Sequence, residues 1–495
     1  MKVVLINPPE NLHLRANFIS TQYPINLGYL AAVLKKHGFQ VEIWDYVVEP
    51  FSKEEFLERI NQSEPKIIGI TAMTNTVASL DELAKIVKKN FKNIYIVSGG
   101  THISALPKRT LREISALDFA CIGEGEYTLL ELCQALQSKH ALNNINGLAY
   151  RKSINEIVCN DKRKLVQDLN SIPFPDRDLV NPSFYRRSHV SRGISRKFLR
   201  VAEIITARGC PNQCIFCAGH ISYGHCVRFR DAANVLEEIK ECVNKYQTNH
   251  FTFLDDTFTL LPDRAKQICS GLKELGVSWD CNTRVNNVTL ELLKIMAESG
   301  CRKVSFGIEA SSERMLKLIK KGITIEQVRK AVKWAKEAKI KFVEGTFILG
   351  AHPSETREEV EMTVNLMKEL DLDFIFYGII VPFPGTEVYD IMHKKGYVDN
   401  SIDWQDFIFF GEEPPWRTDN FTSKELIDLQ NHVLKKFYLR PKYFLKMLSK
   451  INSWQEVGYY LGMAKDFFKQ VILNLRQAKH LSHKRVKPRA ARRPK

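Results

Sequence analysis

From residue 201 onward, short apolar, β-branched or aromatic runs alternate with amphipathic helical patterns, and nothing else in the chain constrains its fold as strongly. Strand-like runs at 201–206, 251–254, 279–282, 304–307, 342–349 and 374–381 are separated by helical periods at 232–246, 264–275, 290–299, 325–338 and 358–370. Parallel strands joined by crossover helices form a sheet that bends into a full or partial barrel, with the C-terminal strand ends gathered at one mouth. The expected core is therefore a (βα)6-type partial TIM barrel.

The loop at the first of these strand ends carries Cys210, Cys214 and Cys217 in C-x3-C-x2-C spacing. Three thiolates can hold three corners of a four-iron cluster and leave one iron for another ligand, whereas an ordinary cluster uses four cysteines. Zinc is the alternative, since Cys210, Cys214, Cys217 and His220 could close a tetrahedral Cys3His site. Zinc loops more often come as two separated pairs. Here all four candidates crowd into one loop after a strand, so a 4Fe-4S cluster is the working expectation.

With these cysteines the chain resembles the radical S-adenosylmethionine (SAM) superfamily. Phe216 before the last cysteine, 253–258 (FLDDTF) and 305–310 (SFGIEA) are similar to strand ends of that family. The stretches 345–355 (GTFILGAHPSE) and 382–386 (PFPGT) resemble a subgroup with a cobalamin-binding domain in front. The resemblance implies that SAM chelates the open iron and is cleaved to a 5′-deoxyadenosyl radical. Cofactors carry this chemistry, and the protein orients and shields them. It also makes Phe216, Asp255, Asp256, Arg284 and Glu309 SAM-binding candidates. Glu309 would meet the ribose hydroxyls, Asp255 or Asp256 the methionyl ammonium or ribose, and the Arg284 fork the carboxylate. Simpler roles stay open: Asp256 as a helix cap, and Arg284 in a surface pair with Asp280.

The N-terminal part repeats the alternation, with strands at 2–6, 41–45, 67–71, 95–98 and 119–122 and helices at 27–37, 54–61, 80–90 and 128–136. This is the pattern of an open, doubly wound Rossmann-like α/β domain, which binds ligands beyond its strand C-terminal ends. The stretches 24–31 (PINLGYLA), 69–74 (GITAMT), 98–100 (SGG) and 122–126 (IGEGE) resemble the subgroup's cobalamin domain. That resemblance implies cobalamin contacts at Pro8, Pro9, Gly28, Thr71, Thr74, Gly99, Gly100, His102, Gly123, Glu124 and Gly125. Corrinoid proteins that ligate cobalt through a histidine carry Asp-x-His-x-x-Gly after the first strand. Here Asn11-Leu12-His13 lacks both the aspartate and the glycine. An imidazole ligand is normally oriented by a carboxylate, so cobalamin is expected without a histidine cobalt ligand, and His102 is expected as a loop histidine near the corrin.

The expected domains are 1–145, cobalamin-binding-like; 146–198, a hairpin (147–151 with 156–159) and a proline-rich linker laid across the surface; 199–422, the radical SAM barrel; 423–478, a helical C-terminal region; and 479–495, a basic tail. The 495 residues, 44% of them apolar, suffice for more than one core. No apolar run is long enough to cross a bilayer and no signal-peptide pattern opens the chain, so a cytoplasmic protein is expected. Cysteines outside the motif are expected to be packing residues, with Cys226 and Cys281 reserved as candidates for the barrel mouth. Helical periods at 424–439, 441–451 and 454–475 mix aromatic residues with lysine, and 476–495 contains no acidic residue, contributing to a net charge of +16. A solvated tail and contact with the inner membrane face both fit. Nucleic acid is not expected, because no aromatic residue follows Phe468.

These expectations amount to a cobalamin-dependent radical SAM enzyme that methylates an unactivated carbon. Its substrate would be small or lipid-like, and its electron donor would be of the flavodoxin or ferredoxin kind. An oxidative cyclase or ring-rearranging enzyme is the alternative within the same resemblance. A zinc-stapled nucleic-acid-binding protein is the alternative from another class, and a corrinoid carrier without catalysis is a third.

Overall fold

The computed structural model describes residues 1–9, 22–153, 156–185, 200–409 and 413–450. In its N-terminal sheet β1 (Lys2–Asn7), β2 (Gln40–Asp45), β3 (Ile67–Thr71), β4 (Tyr95–Gly99) and β5 (Phe119–Cys121) run parallel. The first strand shows why both faces are covered. Successive side chains point to opposite sides, so Val3 and Leu5 enter one core and Val4 and Ile6 the other. The order β2-β1-β3-β4-β5 reverses direction between β1 and β3, which opens a crevice at the strand C-terminal ends.

Two expectations change here. The hairpin, β6 (Leu148–Arg151) and β7 (Ile157–Cys159), pairs antiparallel onto β5 and extends the first sheet to seven strands. It protects an edge that would otherwise expose unpaired backbone groups. The segment after it is not laid across the surface, because Leu169, Ile172 and Arg177 are buried. Arg177 Nη2 donates to Glu238 Oε1 at 2.7 Å and to the Glu203 carbonyl at 2.8 Å, and Tyr185 Oη donates to Asp45 at 2.7 Å. Its prolines hide these anchors from any periodic reading.

The second sheet holds β8 (Val201–Ile204), β11 (His250–Phe253), β12 (Ser278–Thr283), β13 (Cys301–Glu309), β14 (Phe342–Leu349) and β15 (Phe374–Ile379), all parallel and in sequence order. Between β8 and β11, β9 (Ala207–Arg208) and β10 (Arg228–Phe229) form a small antiparallel ribbon. β8 and β15 lie at opposite edges, so the barrel is partial. The helices expected between strands are present, and capping hydroxyls start several of them, such as Thr324 accepting from Gln327 N and Thr356 from Glu359 N. Cys281 is 1% exposed. It belongs to the main core and not to the mouth, because its position on β12 faces the surrounding apolar residues.

C-terminal to the barrel, the helices Ser423–Tyr438 and Pro441–Leu448 pack against it. The expected helix at 454–475, the basic tail and His13 lie outside the described residues. Among the described residues, no helix is long and apolar enough to cross a membrane.

Candidate active site

The chain enters the cysteine loop through Gly209, whose φ is +93° and whose added Cβ would stand 2.5 Å from the Cys226 carbonyl oxygen. Only glycine fits both the conformation and the approach. Cys210, Cys214 and Cys217 are half-buried and form no disulfide. N–H groups are aimed at two of the sulfurs: Asn212 Nδ2 donates to Cys210 Sγ at 3.3 Å and Gly219 N to Cys217 Sγ at 3.4 Å. Arg284 Nη1 lies 3.8 Å from Cys214 Sγ. Such donors suit thiolate ligands of an iron–sulfur cluster and tune its potential. Burial pushes the free Cys217 thiol up to about 11, so metal ligation is what would hold it as thiolate there.

Among the described residues no three His, Cys, Asp or Glu side chains converge to hold a single ion. His220 Nδ1 faces the Cys217 carbonyl at 2.9 Å, and its ring stacks on His225 at 5.0 Å.

The strand ends bring the remaining candidates to this loop, with different roles. Asp255, 2% exposed, accepts from Thr206 N at 2.7 Å, Ala207 N at 3.1 Å and the Thr206 hydroxyl. It thus clamps the backbone just ahead of the cysteines. Burial raises its pKa, and these hydrogen bonds oppose the rise. Asp256 is exposed, and its oxygens lie 3.6 and 3.7 Å from where a Cβ on Gly219 would sit. It caps no helix, since the next one starts after Leu261. Arg284 is not in a surface pair with Asp280, whose carboxylate meets His250 Nε2 at 2.8 Å. Instead Arg284 is buried beside Cys214 and donates to the Lys321 carbonyl.

Glu309 ends β13 in the left-handed region, φ +72°. Its Oε1 meets Lys321 Nζ at 2.7 Å, with both side chains buried. Gly307 leaves the room for this pair, since a Cβ there would stand 2.7 Å from Lys321 Nζ and 2.8 Å from Glu309 Oε1. The Lys321 ammonium also lies 6.0 Å from the center of the Phe216 ring. Sequence reasoning missed Lys321. Its only local signal is a lysine just before Gly322, itself in a positive-φ turn.

The N-terminal strand ends surround a cavity of about 210 Å3. Its lining includes Thr71, Gly99, Gly100, Gly123, Glu124 and Gly125 from the expected set. Gly100 has φ +112°, and a Cβ there would lie 2.5 Å from the Ala72 carbonyl oxygen. Glycine backbone, the hydroxyls of Thr71 and Ser98, and apolar Leu5 and Val97 make a mixed polar and apolar cradle that fits part of a corrinoid with its amide side chains.

The rest of the expected set lies elsewhere. Pro8 and Pro9 are buried after β1. Gly28 is a packing glycine, since a Cβ would strike Tyr23 Oη at 2.0 Å and Pro175 Cβ at 2.9 Å. His102 is not a loop histidine. It sits on the helix Thr101–Ala105, with Nδ1 3.3 Å from Thr74 Oγ1 and its ring edge-on to Trp404 at 4.7 Å. Burial holds its pKa down at about 4, so it is a neutral packing group.

The two mouths meet. Gly385, in the loop after β15, would direct a Cβ to 3.0 Å from Ile221 Cδ1 in the helix after the cysteines, and to 3.2 Å from Ala105 Cβ in the N-terminal domain. The cavity is closed from the barrel side by Arg208, Ser222 and Tyr223. Beside the Gly385 loop, Phe383 and Phe376 pack edge-on to Phe409 at 5.6 and 6.1 Å, and Phe409 is 43% exposed.

Comparison with known proteins agrees with this geometry. A B12 binding domain family model matches residues 13–133, and a Radical SAM superfamily model matches residues 204–367. An uncharacterized methyltransferase of Pyrococcus horikoshii is 34% identical over 90% of this chain and 94% of its own length. An anaerobic magnesium-protoporphyrin IX monomethyl ester cyclase of Rubrivivax gelatinosus is 27% identical over 95% of this chain and 82% of that protein. Among solved structures, the radical SAM methyltransferase TsrM of Kitasatospora setae, with cobalamin and a [4Fe-4S] cluster bound, shares the fold. Its TM-score is 0.68 at 19% identity, covering 89% of each chain.

Proposed function

We propose, from the premise that this chain belongs to the cobalamin-binding radical SAM superfamily of enzymes, that it methylates an unactivated carbon of a small, largely apolar substrate. The family's cofactors are a 4Fe-4S cluster, SAM and cobalamin, which together supply a methyl group and a hydrogen-abstracting radical. The observation that carries the reading is the junction at Gly385, where the barrel mouth, the cysteine-loop helix and the N-terminal domain touch. A substrate bound beside this junction would lie between the two cofactor sites. The relative named as an uncharacterized methyltransferase, at 34% identity against 27% for the cyclase, supports methyl transfer over cyclisation.

The chain's own residues have positioning roles. Cys210, Cys214 and Cys217 would hold the cluster. Glu309 and Lys321 offer a buried acceptor and donor beside Phe216, suited to the ribose and carboxylate of SAM, and Asp256 offers an open carboxylate for its ammonium. The loop Gly99–Gly100 and the loop from Gly123 to Gly125 would cradle cobalamin. Phe376, Phe383 and Phe409 give the substrate an aromatic wall, which favors an apolar or planar group. The electron donor would be a flavodoxin or ferredoxin. Contact with a membrane surface is supported by the helix Pro441–Leu448, where Leu445 is 68% and Leu448 62% exposed.

The reading of reaction type is tested by anaerobic reconstitution with cobalamin, assay for 5′-deoxyadenosine, and mass spectrometry of extracts with and without the protein. A product heavier by one methylene supports methylation. A product that has lost hydrogen on ring closure supports the cyclase reading instead, for which the Rubrivivax relative is the favoring observation.

A further inference from the structure

Four charged side chains join the cavity wall to the base of the cysteine loop. Glu124 stands in the loop after β5 and Glu126 opens the following helix, Glu126–Ser138, and both line the cavity. Arg208 stands on β9, two residues before Cys210. Its guanidinium forks between them, Nη1 to Glu124 Oε1 at 3.0 Å and Nη2 to Glu126 Oε1 at 2.6 Å. Arg228, across the ribbon on β10, reaches both oxygens of Glu124 at 2.8 Å. Glu124 Oε2 also accepts from Val166 N at 2.9 Å. The four side chains are 3–7% exposed.

Two carboxylates against two guanidinium groups leave the cluster of charges neutral, the condition under which buried ions are tolerated. The Arg208 guanidinium is also held 5.2 Å from the Tyr29 ring and 5.4 Å from the Tyr223 ring, and both tyrosines line the cavity. Every group that grips Arg208 is therefore within reach of whatever fills the cavity. Arg208 in turn leads directly into Gly209 and Cys210.

We infer that Arg208, Glu124 and Glu126 are positioning residues that couple the two cofactor sites, so that cobalamin in the cavity tightens SAM at the cluster and SAM tightens cobalamin. The inference rests on the cofactor assignment of the proposed function. Its sign follows from shared contacts: a ligand in the cavity packs against Tyr29, Tyr223 and Glu126, the groups that hold Arg208, and so favors the arrangement of the cysteine loop to which the second ligand binds. Reciprocity is required thermodynamically.

The test measures SAM affinity, by titrating the electron paramagnetic resonance spectrum of the reduced cluster, in cobalamin-free and cobalamin-loaded full-length protein. In the unmodified protein, cobalamin is expected to tighten SAM by about tenfold, within the usual range of such couplings. In Glu126→Gln, which keeps the shape but not the charge, the ratio is expected to fall below about twofold, with iron and sulfide content unchanged. Arg208→Lys keeps the charge but cannot fork to two carboxylates. It is expected to lose the ratio in the same way, and it carries the test if Glu126→Gln does not hold a cluster. Equal SAM affinity with and without bound cobalamin in the unmodified protein, or full coupling in both variants, would overturn the inference alone. A reduced, iron-replete cluster that shows no spectral response to SAM would overturn the cofactor assignment, and the coupling with it.

Discussion

Lys321 Nζ lies 2.7 Å from Glu309 Oε1, and the pair is buried at the end of β13 beside the cysteine loop. Glu309 holds a left-handed conformation, which costs a residue with a Cβ about 1–3 kcal/mol. The buried partner gives that conformation a reason to persist. Gly307→Ala would drive a methyl group against the ends of both side chains. Those ends are flexible, so the chain is expected to fold and retain iron. The displaced pair is expected to lower SAM-dependent 5′-deoxyadenosine formation by about 10- to 100-fold, the usual effect of a misplacement near 1 Å. Deoxyadenosine yield per cluster is the measurement.

Adjacent carboxylates at the end of β11 are expected to separate into two phenotypes. Asp255→Ala removes the acceptor for Thr206 N and Ala207 N and leaves buried donors unpaired, at about 1–3 kcal/mol for each donor. Iron incorporation should fall with it. Asp256→Asn should keep full iron content and weaken SAM binding, which a titration of the reduced cluster's spectrum would show. Equal iron loss in both variants would contradict the division of roles.

Glu238 is fully buried and receives Arg177 from the segment after the hairpin and Arg230 from the end of the small ribbon. Removing one member of such a network strands the others without a partner. Glu238→Ala is expected to destabilize the folded chain by about 3–5 kcal/mol, read as a lower urea midpoint.

Burial pushes the Glu355 carboxyl from 4.5 up to about 8. The folded state therefore holds this proton more tightly than the unfolded chain does. The resulting stability is fully present below the unfolded value and is lost as pH rises through the folded one. Glu355→Gln keeps an acceptor for Gly350 N, now at 2.5 Å, and cannot ionize. Its urea midpoint is expected to match that of the unmodified protein near pH 4 and to exceed it near pH 9, with the difference growing between those limits.

The alternation of strand and helix was legible throughout because burial repeats with a local period: Val3 to Ile6 read as a strand, and the helix Ile325–Glu337 as an amphipathic stripe. The cysteine loop was legible because its three thiols sit within one turn of chain. Glu309 and Arg284 could be named as candidates, but not their partners. Lys321 reaches Glu309 from a different element, and Arg284 reaches Cys214 from 70 residues away. The surroundings of His102 and Gly28 were hidden for the same reason. Their neighbors Trp404, Tyr23 and Pro175 are assigned by docking of distant segments, which leaves no local pattern.

By itself the sequence determined two βα arrays and one three-thiol loop, since hydrophobic period and ligand spacing are properties of neighboring residues. Only the tertiary structure decided that Asp255 is committed to the backbone while Asp256 stays open. It also decided that Arg208 bridges the two glutamates of the other domain. Burying a charge is tolerable only when an opposite charge arrives from elsewhere in the fold, and which residue arrives depends on how the two sheets pack.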